Sequence, residues 1–107
     1  MPKFHRILLG VLLVTTSVAH AATTLIDQRD RKFSQSSVDI KVGDSLDFKN
    51  TDDVTHNIMV VNDDGDVDDK GLQDPGKDVI ITFDKPGHYE VRCNIHPRMK
   101  MEVNVTQ

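Results

Sequence analysis

The chain holds a single cysteine, Cys93, so no internal disulfide can form. That removes the cross-links on which small exported domains usually rely. Long apolar runs are also missing. The most apolar stretch, from Ile7 to Val14, falls well short of the about 20 residues that a helix needs to cross a bilayer. Basic residues are outnumbered, with 13 Lys and Arg against 17 Asp and Glu. This balance argues against nucleic acid or anionic lipid as a partner. Downstream of the N-terminal segment there is no helical periodicity of useful length, no internal repeat and no domain linker.

What is present begins with a targeting pattern. A short basic start (Lys3, Arg6), the apolar run and a small-residue close at Ala19-His20-Ala21 match a secretory leader cut after Ala21. The expectation is a leader over 1–21 and one domain over 22–107, delivered to the periplasm without membrane insertion. Losing Lys3 and Arg6 leaves 11 basic against 17 acidic side chains, a net charge of −6. A monomer with such a charge suits a partner protein whose surface is basic. A chain this short has a thin stability margin, and a bound metal can replace the missing disulfides.

The rest of the chain alternates with period two. Val38, Ile40 and Val42 share one parity, as do Leu46 and Phe48, then His56, Ile58 and Val60. Val79, Ile81 and Phe83 form a fourth set, Tyr89, Val91 and Cys93 a fifth, and Met99, Met101, Val103 and Val105 the last. Short strands punctuated by turn residues predict an all-β fold, a Greek-key antiparallel β-sandwich. Because alternate residues face opposite sides, Cys93, His56 and Met99 all point inward at strand ends. His96 falls in the short loop between the last two strands, where Pro97 restricts its backbone.

Cys93-Asn94-Ile95-His96-Pro97-Arg98-Met99 therefore gathers a thiolate, an imidazole and a thioether within seven residues, with His56 upstream. Such a soft donor set selects copper over zinc, magnesium or calcium. Singly, each residue has a plain reading as core filler or a structural histidine. Jointly, their spacing favours a site.

Together with Val42-Gly43-Asp44-Ser45, Phe48-Lys49-Asn50, Val54-Thr55-His56-Asn57 and Lys85-Pro86-Gly87-His88-Tyr89, that loop resembles the small blue-copper proteins of the cupredoxin superfamily. The similarity is to the amicyanin and plastocyanin-like group, which includes methylamine-utilisation proteins. The resemblance implies one type 1 copper, with His56, Cys93 and His96 equatorial and Met99 a weak axial ligand. It also implies that Asn57 bonds across to the ligand loop and that the protein is not an enzyme. Met101 competes with Met99 for the axial place, and Met99 is preferred because it gives the shorter His-Pro-x-Met loop and leaves Met101 onward as strand. The expected role is electron transfer by Cu(I)/Cu(II) cycling with a redox partner protein. The alternative is copper tolerance or delivery, with a copper donor or acceptor as the partner.

Other readings are weaker. Zinc rarely takes Met, and a cysteine hydrolase lacks its flanking motif and helix. The acidic stretch 62–69 fails as a calcium loop, because neither Gly65 nor Gly71 aligns with a full ligand set. It is read as a solvated loop, and His88 as a surface residue.

Overall fold

The computed structural model describes residues 2–3, 10–13 and 20–107. Most of the expected leader, including Arg6, Ile7 and Ala19, lies outside the described residues. Nine strands run in chain order: β1 (Thr23–Arg29), β2 (Lys32–Phe33), β3 (Ser37–Lys41), β4 (Ser45–Asn50), β5 (His56–Asn62), β6 (Val67–Gln73), β7 (Asp78–Thr82), β8 (Gly87–Arg92) and β9 (Lys100–Thr106). Among the described residues there is no helix, and none that could cross a membrane.

The strands form two packed sheets, ordered β2-β1-β4-β7 and β3-β9-β8-β5-β6. The expected all-β sandwich is therefore the observed one. Two of its pairings, β1 with β4 and β3 with β9, run parallel, so both sheets are mixed. Period-two alternation fixes which face a residue takes and is blind to the direction of its neighbour.

The core follows the predicted parity. Leu46 and Phe48 of β4, Ile58 and Val60 of β5, Val91 of β8, and Met101, Val103 and Val105 of β9 are buried in one cluster. Phe48 is fully buried and meets Phe33 edge-to-face. Burying a side chain of that size contributes about 1.5–3 kcal/mol.

Three strands carry weaker patterns. β1 buries only Ile26 and Gln28, and β2 is two residues long. The stretch read as a loop is strand at both ends: Asn62 closes β5, only 63–66 connect the strands, and Val67, Asp68 and Asp69 belong to β6. Every β6 residue except Gln73 is exposed, because β6 is an edge strand held by backbone pairing to β5. No buried face means no alternation to read.

Candidate metal centre

One end of the sandwich gathers the chemistry. β5 opens with His56 and Asn57, β8 runs out at Arg92 just before Cys93, and Met99 directly precedes β9. Strand parity turns Cys93, His56 and Met99 inward, and each is at most 1% exposed. His96 is half-exposed on the intervening loop.

That loop is closed twice. The Cys93 amide donates to the Met99 carbonyl at 3.2 Å, and the Met99 amide donates to the His96 carbonyl at 2.9 Å. The second bond makes a four-residue turn with Pro97 at its second position, where a fixed φ suits the geometry. The loop thereby brings the His96 ring back over Cys93.

The three donor atoms converge. His56 Nδ1 lies 3.2 Å from His96 Nδ1, and Cys93 Sγ lies 3.9 Å from the first and 3.6 Å from the second. A first-row metal with bonds of about 2.0–2.3 Å to nitrogen and sulfur holds neighbouring ligands about 3.3–3.8 Å apart. The observed spacings fit a single ion at the centre. Met99 is buried beside this group and stands outside the apolar cluster that contains Met101.

A polar scaffold fixes these donors. Asn57 donates its amide nitrogen to Asp69 Oδ1 at 2.8 Å and to the Gly71 carbonyl at 3.0 Å. Its Oδ1 accepts the Asn94 amide at 3.0 Å, and its backbone amide donates to Cys93 Sγ at 3.3 Å. This is the cross-link to the ligand loop that the family resemblance implied. A bulge in β6 makes it possible. Lys70 and Gly71 together oppose Ile58, and Gly71 takes φ 88°, which glycine tolerates without strain.

Asp52 is the residue that sequence reasoning missed, because it lies in a turn of unremarkable polarity. Its Oδ2 accepts His56 Nε2 at 3.0 Å and the Arg31 amide at 2.9 Å, while Oδ1 accepts the Asp53 amide at 3.0 Å. Burial would raise the pKa of this carboxyl, but the hydrogen bonds from Arg31, His56 and Asp53 outweigh it and hold the pKa at about 2. His96 is pushed below the ordinary histidine value, first by burial and then by His56 and Arg31.

The outer surface of the site is cationic. A groove beside His96 is lined by Arg31, Lys32, Ile95, Pro97 and Arg98, with no carboxylate among its described residues. Ile95 is 47% exposed there. Arg31 sits with Asp30 at the tip of the β1–β2 hairpin, both with positive φ (56° and 53°). A two-residue turn of that kind matches the twist of paired strands.

Comparison with known proteins converges on one family. A sequence profile of the copper binding proteins of the plastocyanin/azurin family matches residues 20–106. Methylamine utilization protein MauL of Methylorubrum extorquens is 38% identical over 65 residues, which is 61% of this chain and 57% of that protein. MauL of Methylophilus methylotrophus is 30% identical over 78 residues, 71% of this chain and 45% of that protein. The chain thus spans about half the length of these two relatives. Among solved structures, a reduced Cu(I) form of amicyanin superposes with a TM-score of 0.71 at 26% identity, covering 82% of this chain and 85% of that one. A purple cupredoxin from Nitrosopumilus maritimus shares the fold, with a TM-score of 0.69 at 23% identity over 78% and 99% of the two chains.

Proposed function

The chain belongs to the plastocyanin/azurin family of copper-binding proteins, and on that premise we propose that it is a one-electron carrier with a single type 1 copper. The observation that carries this reading is the convergence of His56 Nδ1, Cys93 Sγ and His96 Nδ1 within 4.8 Å of one another. Copper is the cofactor this donor set suits: the imidazoles of His56 and His96 and the Cys93 thiolate would hold it, and the buried Met99 thioether would be a weaker fourth donor. When bound, copper supplies the one-electron Cu(II)/Cu(I) couple. The protein's part is to hold the donors in one arrangement for both states. His56 and Cys93 are buried and hydrogen-bonded, His56 to Asp52 and Cys93 to the Asn57 amide, which restrains them in one arrangement. His96 alone reaches the surface, which makes its ring edge the exit for the electron.

Copper delivery is the competing reading, and burial weighs against it. A cargo site must open for release, whereas Cys93 is 1% exposed under a loop closed at its base. The partner is a second redox protein. Net acidity favours a basic partner surface, but the groove at His96 is lined by Arg31, Lys32 and Arg98. The local charge decides docking, so the partner face that meets His96 is acidic. Export to the periplasm, with a leader over 1–21 and the mature domain over 22–107, belongs to the same proposal. The profile match from residue 20 and the start of β1 at Thr23 support it.

The experiment is to add Cu(II) to the purified mature domain and record visible and electron paramagnetic resonance spectra. An intense thiolate-to-copper band with a narrow copper hyperfine splitting is expected. Its absence sinks the type 1 assignment. Comparing Met99→Leu with Met101→Leu tests the axial ligand: only the first should shift the band. Edman sequencing of the exported protein should begin at Ala22.

A further inference from the structure

We propose that Asp52 is a positioning residue for this centre, a carboxylate that fixes the tautomer of His56 and biases the site toward its oxidised state. The inference rests on the reading of His56 as a metal ligand. Its starting point is the two nitrogens of one buried ring. Nδ1 faces His96 Nδ1 and Cys93 Sγ, while Nε2 faces Asp52 Oδ2 at 3.0 Å. The carboxylate can only accept, so the proton sits on Nε2 and the Nδ1 lone pair is left for the metal.

The carboxylate is itself held. Arg31 and Asp53 amides donate to its two oxygens, and its own amide donates to Asn50 Oδ1 at 2.9 Å. Its side chain is 7% exposed and that of His56 is fully buried, so little water screens the pair. A backbone carbonyl in this place would orient the ring equally well but bring only a dipole. Asp52 brings a full negative charge one imidazole away from the metal. Such a charge stabilises Cu(II) more than Cu(I) and makes the ring a stronger donor.

The same oxygen ties down the β1–β2 hairpin. Arg31 holds a left-handed backbone conformation, which for a non-glycine residue costs on the order of 1 kcal/mol. Its amide is fixed by Asp52 Oδ2. The rim of the docking groove and the buried ligand therefore share one anchor.

Asp52→Asn tests the charge while keeping an acceptor oxygen. The affinity for Cu(II) relative to Cu(I) should fall about tenfold, which raises the midpoint potential by about 59 mV for one electron. The thiolate-to-copper band should persist. A midpoint potential equal to that of the wild type would overturn the proposal. Asp52→Glu, which restores the charge, should bring the potential back toward the wild-type value. A measurement on the metal-free wild type needs no variant to fold: long-range nitrogen–proton spectra should place the His56 proton on Nε2. Finding it on Nδ1 would overturn the inference even if the copper spectrum is type 1. Conversely, an Nε2 proton without a type 1 spectrum on copper addition leaves the Asp52 contact standing and rejects the copper reading alone.

Discussion

β5 runs between two asparagine hubs that use the same hydrogen-bonding vocabulary for opposite ends. At the metal end, Asn57 is 4% exposed and bonds Asp69, Gly71 and Asn94. At the far end, the half-buried Asn62 accepts the Asp64 and Asp66 amides and closes an acidic turn. That turn is why the acidic stretch needs no ion to hold its shape. The contrast extends beyond one strand. The buried polar residues of the described chain are Gln28, Asn50, His56, Asn57 and Gln73, and all five sit where their strands reach the metal end. There Asn50 donates to the Val54 and Gln73 carbonyls, and Gln73 to those of Phe48 and Lys77. Buried hydrogen bonds hold loops rigidly, while exposed ones trade freely with water. One end of the sandwich is built to stay still and the other to stay solvated.

The strongest way to break this asymmetry is to remove the thiolate. Cys93→Ser should abolish the visible band and most of the stabilisation that copper confers, which is about 4 kcal/mol at a thousandfold excess over Kd. Thermal unfolding with and without Cu(II) reads that difference directly. Next, Asn57→Ala should cost the metal-free protein about 2 kcal/mol, because it removes a buried side chain together with its part-buried hydrogen bonds to Asp69, Gly71 and Asn94. The matching Asn62→Ala should cost less than about 1 kcal/mol, since water replaces the lost acceptor. Equal losses in urea titrations would contradict the comparison.

Charge gives a smaller effect. At low salt, electron transfer from the reduced protein to ferricyanide, a small anion, should slow about tenfold in the Arg31→Glu/Arg98→Glu variant. Asp63→Asn/Asp64→Asn should leave that rate near wild type. Rates that follow net charge alone, falling with the arginine pair and rising with the aspartate pair, would refute the groove as the exit. The smallest effect belongs to Asp44 at the far end. Amide donors from Ala22 and Lys41 hold its carboxyl below the ordinary 3.8. Because folding favours the ionised form, its contribution is present above pH about 3.8 and lost as pH falls below it. Asp44→Asn should therefore lower Tm slightly at neutral pH and bring no further loss in acid. Comparison of Tm at pH 7 and pH 3 checks this.

Much of the site was legible because ligand chemistry and strand parity operate at short range. Cys93, His96 and Met99 lie in one loop, and alternation alone turns Cys93 and Met99 inward. That His56 arrives at the same end depends on β5 pairing with β8, a long-range fact that no local pattern states. Asp52 was illegible for the same reason. Nothing in Asn50-Thr51-Asp52-Asp53 distinguishes the first aspartate from the second, and only the fold brings one carboxylate onto His56. Strands β1 and β6 escaped notice because a strand that buries one or two residues carries no periodicity. The parallel pairings escaped because direction leaves no trace in side-chain alternation.

The bulge at Gly71 has a consequence at the sheet's border. β6 is an edge strand, and its free side could template another chain. Its kink, together with Asp68, Asp69 and Lys70 nearby, spoils the flat register that such self-association requires. The irregularity that aims Asn57 at the ligand loop thus also acts as a guard against fibril-like stacking at high protein concentration.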